Sequence, residues 1–278
     1  MSDTQSSGAQ PPTAVFGPVT GDVYERQMGR WSRHLAEQIL DFVDIDLGGG
    51  AALDVGCGTG RLSFAVAQRN PAASVTGCDI SEALLAHAAA VNPYPDRVGF
   101  EPGNACALPF PDSSFDLVLA SLVLMFVPDG TLAATEMARV AKPGGTVAAA
   151  TWDFRGGTMT VRMLTDTVVA LGVPGAEAWR ARLMGGPGVR PGELAALWRG
   201  AGLRDVREAQ ITIRMDFANF LDYWEPTING PVLPALLNGL APEWHQRVRG
   251  AVESAFLTGD ADGPRSFAST AWVVAGSL

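Results

Sequence analysis

The sequence predicts an α/β fold in which β-strands alternate with α-helices along most of the chain. Three observations support this. The segment 53–63, LDVGCGTGRLS, begins as a buried strand, continues through a glycine-rich turn and then shows helical periodicity. A β-branched second strand is predicted over 73–81, and an apolar strand over 265–276 closes the chain. Such alternation is typical of a mostly parallel sheet covered by helices on both faces.

Seven strands are predicted, each bounded by turn residues. They lie at 51–55, 73–81, 98–101, 115–120, after the Lys-Pro-Gly-Gly turn at 142–145, at 202–215 and at 265–276. Helices are predicted from periodicities of three and four residues. They include 62–68, 82–91, 158–171, 176–184 and 191–199, followed by a helical segment over 216–264 between the last two strands.

Composition and charge argue against a nucleic-acid-binding protein and against a membrane protein. The chain has 278 residues, 47% hydrophobic and 18% charged, with a formal net charge of −9 and no Lys/Arg-rich run. An acidic chain without basic clusters is not expected to bind nucleic acid. The apolar stretch 117–127 is too short to cross a bilayer, and no secretory signal is evident. We therefore expect a cytoplasmic protein with no membrane partner.

The cysteines predict neither a disulfide framework nor a metal site. Cys57, Cys78 and Cys106 form no C-x-x-C pair, and an odd number of isolated cysteines is typical of small buried side chains. The first 20 residues are rich in Ser, Gln, Gly, Pro and Thr, so a disordered tail is expected there. We expect residues 21–278 to form one domain, with 216–264 inserted as a helical cap.

The glycine-rich turn is the main candidate ligand site. Gly56, Gly58 and Gly60 recur at every second position after Asp54, and glycine permits positive φ and close approach of a ligand to the backbone. A dinucleotide fingerprint would need G-x-G-x-x-G, and a phosphate-binding P-loop would end in Gly-Lys-Ser/Thr. Neither pattern is present. Two alternatives stay open: the turn binds no ligand, or it binds a ligand other than a dinucleotide or a P-loop phosphate.

An acidic residue lies at the end of the second predicted strand. Asp79 lies 25 positions after Asp54, where a carboxylate can accept hydrogen bonds from both hydroxyls of a ribose. The alternative is that Asp79 caps the next helix, although Ser81 suits that position better.

Four segments resemble the class I S-adenosylmethionine (AdoMet)-dependent methyltransferases, in particular the type 11 (UbiE-like) small-molecule enzymes. DVGCGTG resembles that family's first motif, GCDIS its second, GNACALPFPDSSFD its GDAxxLPFxDxSFD segment, and RVAKPGG the turn before the fifth strand. The resemblance implies a Rossmann-like seven-stranded sheet with one antiparallel strand. It also implies methyl transfer from AdoMet, with S-adenosylhomocysteine (AdoHcy) as product and no metal.

The resemblance also implies which residues bind the cofactor. Asp79 would bind the ribose and Asn104 the adenine, although relatives carry an acidic residue at the position of Asn104. Tyr24 and Arg33, on a predicted N-terminal helix over 23–43, would face the methionyl end, where an arginine can pair with a carboxylate. The full set is Tyr24, Arg33, Asp54, Gly56, Cys57, Gly58, Gly60, Asp79, Ile80, Asn104, Ala105 and Ser121.

The methyl acceptor is expected to be a small, largely apolar molecule. Relatives often carry a histidine pair where this chain has Met125 and Phe126, so no catalytic base is assigned. Trp152 and Asp153 follow the fifth strand and are candidates to face the substrate, with helix capping the alternative for Asp153. A non-catalytic AdoMet-binding module and an RNA or protein methyltransferase are the other functions considered. The chain is expected to act as a monomer or homodimer.

Overall fold

A computed structural model describes residues 19–278 and shows one seven-stranded sheet in the order β3-β2-β1-β4-β5-β7-β6. Strands β1 to β5 pair in parallel, whereas β7 pairs antiparallel with both β5 and β6. The strands are β1 (Ala51–Val55), β2 (Ser74–Asp79), β3 (Val98–Pro102), β4 (Phe115–Ser121), β5 (Ala141–Trp152), β6 (Arg204–Phe217) and β7 (Arg265–Ser277). The predicted seven-stranded sheet with one antiparallel strand is therefore confirmed.

Helices cover both faces of this sheet. They are α1 (Gly21–Tyr24), α2 (Arg30–Val43), α3 (Arg61–Arg69), α4 (Glu82–Ala90), α5 (Gly130–Val140), α6 (Met159–Ala170), α7 (Ala176–Leu183), α8 (Glu193–Gly200), α9 (Phe220–Asn229), α10 (Pro234–Leu237) and α11 (Pro242–Leu257). The expected tail, residues 1–20, lies outside the described residues except for Val19 and Thr20. No helix of the described chain is long and apolar enough to cross a membrane.

Two apolar clusters lie on the two sides of the sheet. One contains Leu35 of α2, Leu117 of β4 and Phe220 of α9. The other contains Leu53 of β1, Val118 of β4 and Trp198 of α8. Consecutive residues Leu117 and Val118 face opposite sides, as strand geometry requires, and this explains why the central strands read as continuous apolar runs.

Two boundaries differ from the sequence prediction. Helix α5 ends at Val140, and β5 already begins at Ala141. The Lys-Pro-Gly-Gly segment is therefore an irregularity within the β4–β5 pairing rather than the helix terminus, with Gly144 at φ +80°. Helix α8 begins at Glu193 rather than Pro191, because Gly192 occupies its N-cap at φ +77°.

The N-terminal helical run lies beside the carboxyl ends of the parallel strands. Helix α1 continues through a π-helical turn, Glu25–Gly29, directly into α2. Wide turns of this kind are rare and often occur at functional sites. Residues Glu25 and Tyr24, at the junction of α1 and this turn, contact the segment that follows β1, as described below.

Candidate cofactor and substrate site

The glycine turn after β1 is held against the end of β2. The carbonyl of Cys78 accepts hydrogen bonds from the backbone N–H of Gly56 at 2.7 Å and of Cys57 at 3.0 Å. Gly56, Gly58 and Gly60 have φ values of +69°, +54° and +82°, which glycine adopts without the steric cost of a Cβ atom. A Cβ atom on Gly56 would lie 2.4 Å from Cγ2 of Val123. Position 56 therefore requires glycine, both because its φ is positive and because Val123 leaves no room for a Cβ atom.

Asp79 links the glycine turn to the start of α4. Its Oδ2 accepts from the backbone N–H of Gly58 at 2.9 Å, and its Oδ1 accepts from the N–H of Ser81 at 2.8 Å. The side chain of Ser81 caps α4 by accepting from Leu84 N–H, so the N-cap belongs to Ser81. Burial raises the pKa of the Asp79 carboxyl, against the opposing effect of these backbone hydrogen bonds. Each carboxylate oxygen retains a lone pair for a further donor.

Asp54 is a buried carboxyl beneath the same turn. Its Oδ2 accepts a 2.7 Å hydrogen bond from Ser63 Oγ, whereas its buried Oδ1 has no partner among the described residues. Burial raises the pKa of this carboxyl to about 7, and the hydrogen bond from Ser63 opposes the rise. An orphaned buried carboxylate oxygen is costly, and a cationic or N–H donor would satisfy it.

The N-terminal helical run closes over the glycine turn. The Glu25 carboxylate accepts from the hydroxyl of Thr59 and pairs with Arg61, whose Nε lies 3.0 Å from Oε2. The ring of Tyr24 lies about 3.6 Å from the position a Cβ would take on Gly58. Burial, and then the negative charge of Asp79, raise the pKa of the Tyr24 hydroxyl. Tyr24 therefore lies where the turn and the N-terminal run meet.

A largely apolar cavity of about 150 Å³ extends from Tyr24 into the space between α2, α6, α7, β6 and α9. Its aromatic and aliphatic wall includes Met125 and Phe126, the pair that occupies the place where relatives often carry histidines. Further lining side chains are Trp31, Trp152, Trp179, Phe217 and Leu233. Leu122, which directly follows β4, also lines the cavity at φ +61°, a conformation that is uncommon for a branched residue.

Arg30 and Asp222 are the charged residues of the cavity wall. Arg30 Nη1 donates to Asp222 Oδ1 at 2.9 Å and to Oδ2 at 3.1 Å. The Arg30 guanidinium also stacks on the rings of Trp31 and Phe217, with its central carbon 4.4 and 5.1 Å from the two centroids.

The structure corrects the sequence expectation for Arg33. This side chain is exposed and does not line the cavity. Residues on an α-helix are spaced by about 100° around its axis, so Arg33 lies about 200° from Trp31. Because Trp31 faces inward, Arg33 must face away. Arg30, which does line the cavity, was not predicted from the sequence. It directly precedes the inward-facing Trp31, and that position could have indicated its role.

The remaining predicted residues lie around the same edge of the sheet. Ile80 is 80% exposed and Ala105 is buried. Asn104 is exposed, and its Oδ1 accepts from the N–H of Cys106 at 2.9 Å. Ser121 ends β4.

Trp152 and Asp153, the two candidates to face the substrate, have different surroundings in the structure. Trp152 lines the cavity. Asp153 does not; its Oδ1 accepts from the N–H groups of Arg155 at 3.0 Å and Gly156 at 2.9 Å. This geometry is that of a turn cap.

Comparison with known proteins places this arrangement in a family. A family model described as "Methyltransferase domain" matches residues 53–149. Nocamycin O-methyltransferase of Saccharothrix syringae is 30% identical over 227 residues, which cover 76% of this chain and 79% of that protein. The chain belongs to the class I AdoMet-dependent methyltransferases.

Two further relatives illustrate the range of the family. Demethylmenaquinone methyltransferase of Staphylococcus aureus is 43% identical over 100 residues, which cover 36% of this chain and 42% of that protein. Phosphoethanolamine N-methyltransferase 2 of Haemonchus contortus, solved with AdoHcy, has a TM-score of 0.57 at 17% identity. That match covers 92% of this methyltransferase and 56% of the solved chain, and it shows the fold alone. AdoMet is the methyl donor of the family.

The residues of this methyltransferase fit that cofactor chemically. The partnerless Asp54 Oδ1 suits the cationic amino group of a methionyl moiety. The free lone pairs of Asp79 suit ribose hydroxyls. The glycine turn leaves room for the backbone to approach a ligand, since no Cβ atoms project from its three glycines.

Proposed function

We propose that this methyltransferase transfers a methyl group from AdoMet to a small, largely apolar molecule held in the cavity between α2, α6, α7, β6 and α9. The observation that carries the proposal is the position of Tyr24. Its ring faces Gly58 of the glycine turn, about 3.6 Å from the position that a Cβ atom would take there, and the residue also lines the apolar cavity. The cavity therefore begins where the methyl-bearing end of the cofactor is expected.

We assign cofactor contacts from the chemistry of the groups present. Asp79 would hold the ribose, and the 80%-exposed Ile80 would cover one face of the adenine. Asn104 and the N–H of Ala105 would meet the adenine edge. Asp54 would bind the methionyl amino group. The other contacts would come from Tyr24, Ser121 and the backbone of Gly56, Cys57, Gly58 and Gly60.

The protein's own contribution to the reaction is positioning. When bound, AdoMet supplies a methyl group on a positively charged sulfur, which already activates it toward attack. The chain must then place an acceptor atom in line with that methyl and exclude water. The apolar wall, closed by α9 and the N-terminal run, serves both purposes.

No residue of the cavity wall is assigned as a general base. Asp222, the carboxylate on the wall, accepts from Arg30 Nη1 and from the N–H of Ala218 at 2.9 Å. Tyr223 donates its hydroxyl hydrogen to the carbonyl of Thr160 at 3.1 Å. The favoured acceptors are therefore atoms that are nucleophilic at neutral pH or oxygens that ionise readily.

The segment 216–264 is proposed to act as the cap of the substrate site. Tyr223, Pro226 and Thr227 of α9, with the 231–233 segment, form one side of the cavity. Variation at these cavity-lining positions would change the acceptor.

Two measurements test the proposal. Calorimetry should show one AdoHcy bound per chain, and methyl-labelled AdoMet should transfer label to an organic-extractable product when apolar phenols, acids and amines are supplied. Failure to bind AdoHcy would refute the cofactor site. Binding of AdoHcy without transfer to any apolar compound, but with transfer to RNA or protein, would refute the acceptor class.

A further inference from the structure

Three buried hydrogen-bond donors of the cavity wall have no partner among the described residues, and two of them belong to neutral side chains, Trp152 and Thr158. The third is Nε of Arg30, whose guanidinium is bound to Asp222 through its other nitrogens. Trp152 is 2% exposed and Thr158 is 1% exposed. Within the described part of the chain, neither Nε1 of Trp152 nor Oγ1 of Thr158 has a hydrogen-bond partner, and both residues line the cavity. Leaving such groups unpaired opposes folding, so each one calls for an explanation. One explanation is a ligand that supplies the missing hydrogen-bond acceptor.

Comparable groups in the same wall are satisfied by the protein. Trp179 donates its indole N–H to the carbonyl of Val232 at 3.3 Å. The hydroxyl of Thr160 lies 3.9 Å from the sulfur of Met215. Trp152 and Thr158 therefore differ from Trp179 and Thr160 in lacking a hydrogen-bond partner.

Strand pairing places these two residues on the same side of the sheet. Trp152, at the end of β5, pairs with Ala271 of β7. Thr158 forms an isolated antiparallel bridge with Ser269, two residues away on the same strand. Residues two apart on a strand face the same side, about 7 Å apart. Thr158 therefore continues the line of β5 beyond the loop at 153–157, and its side chain faces the same side as Trp152.

We propose that Trp152 and Thr158 form an anchor for a hydrogen-bond-accepting oxygen on an otherwise apolar methyl acceptor. The indole N–H can only donate, so its partner must be an acceptor atom such as a carbonyl, carboxylate, phenolate or ether oxygen. Arg30 and Asp222 neutralise each other at the cavity wall. A single oxygen on a hydrophobic body matches this pattern. The inference rests on the proposed function and specifies its substrate class.

Matched ligand pairs test the anchor without knowledge of the natural substrate. Acetophenone is compared with ethylbenzene, and 2-acetylnaphthalene with 2-ethylnaphthalene; each ketone differs from its hydrocarbon chiefly by the carbonyl oxygen. Binding is measured by calorimetry with and without saturating AdoHcy. For at least one pair, the wild type should bind the ketone about 10- to 100-fold more tightly than the hydrocarbon, as expected for pairing a buried donor.

Variants at the two donors identify the cause of the preference. Trp152→Phe and Thr158→Val should each reduce the ketone-to-hydrocarbon ratio by about 3- to 10-fold, and the double variant should abolish it. Trp179→Phe and Thr160→Val, matched controls from the same wall, should leave the ratio unchanged. Because each ratio is measured within one variant, general loosening of the cavity cancels.

The proposal is overturned if no pair shows a ketone preference, if neither compound of any pair binds, or if the preference persists in the double variant. These outcomes are separate from failure of the proposed function. AdoHcy binding and methyl transfer are measured independently, and a wild type that transfers methyl groups without any ketone preference would refute the anchor alone.

Discussion

The guanidinium of Arg30 holds the carboxylate of Asp222 across a sequence separation of 192 residues, with Nη1 2.9 Å from Oδ1 and 3.1 Å from Oδ2. Arg30 Nη2 also donates to the Asp222 carbonyl at 3.3 Å. This pair joins the N-terminal helical run to α9, two of the elements that flank the cavity. Separating them requires these charge-assisted bonds to break.

Asp222→Asn should therefore loosen the closure over the cofactor. The variant keeps the side-chain shape but removes the charge that strengthens the bonds with Arg30. We expect AdoHcy to dissociate about 3- to 10-fold faster, which corresponds to about 0.7–1.4 kcal/mol. Stopped-flow tryptophan fluorescence measures this rate. Glu253→Gln, which removes the partner of Arg249 within α11, is the control; equal rates in both variants would contradict the prediction.

Asp79→Asn should weaken AdoHcy binding more than it weakens the fold. An amide can still accept one of the two backbone hydrogen bonds from Gly58 and Ser81, but it offers fewer lone pairs for ribose hydroxyls. We expect a 10- to 100-fold higher Kd by calorimetry, in line with about 1.5–3 kcal/mol for hydrogen bonds to a charged group.

The control for Asp79 is Asp116→Asn. Asp116 also accepts a backbone hydrogen bond, from Ala51 N–H at 2.8 Å, but that N–H is at the start of β1, whereas the glycine turn follows its end. The AdoHcy affinity of this variant should match that of the wild type. An unchanged affinity in Asp79→Asn would remove the ribose assignment.

Gly56→Ala should destabilise the fold more than Gly144→Ala. Both glycines have positive φ, at +69° and +80°, so both variants incur a conformational cost of about 1 kcal/mol. Among the described residues other than its two chain neighbours, Gly144 has no atom within 4 Å of the added methyl, whereas at Gly56 the Cβ and both methyls of Val123 lie within 2.8 Å. Rotation of Val123 cannot relieve that clash. Urea unfolding compares the two variants, and equal losses would contradict the steric argument.

The sequence predicted the parts of the fold that have local signals. Glycine spacing and an acidic residue near the end of each of two short strands placed Asp54, the turn and Asp79 at one edge of the sheet. The structure brings them together because β1 and β2 are adjacent and parallel, with Val55 opposite Cys78. For this edge of the sheet, strand periodicity and motif resemblance were sufficient to predict which residues lie together.

The parts that were missed depend on long-range pairing. The Arg30–Asp222 pair and the bridge between Thr158 and Ser269 join segments over 100 residues apart, and no local pattern encodes them. Arg33 was chosen over Arg30 because the chemistry of an arginine was considered without its side of the helix. Trp152 and Asp153 are adjacent in sequence, yet only Trp152 lines the cavity.

Asp54 should make the ligand-free protein less stable as the pH rises. Its pKa is raised from 3.8 in the unfolded chain to about 7 in the fold by burial. Between these values the folded state binds more protons than the unfolded state, so the free energy of unfolding falls with increasing pH. The contribution is fully present below pH 3.8 and is lost as the pH rises through 7. The slope is at most about 1.4 kcal/mol per pH unit.

The measurement is urea unfolding of the wild type and Asp54→Asn at several pH values from 5 to 8. An amide does not titrate here, so the variant should gain stability relative to the wild type as the pH increases. Asp116→Asn should show no such trend in this range, because the hydrogen bond from Lys142 lowers the pKa of the Asp116 carboxyl from its ordinary value.

Saturating AdoHcy should reduce the contribution of Asp54 to the slope of the unfolding free energy against pH. A cationic amino group beside the orphaned Oδ1 would stabilise the ionised carboxylate and lower its pKa. AdoHcy should correspondingly bind more tightly at pH 8 than at pH 6, with proton release that calorimetry detects in buffers of different ionisation enthalpy. A pH-independent affinity that is also unaffected by Asp54→Asn would show that the amino group does not bind to this carboxylate.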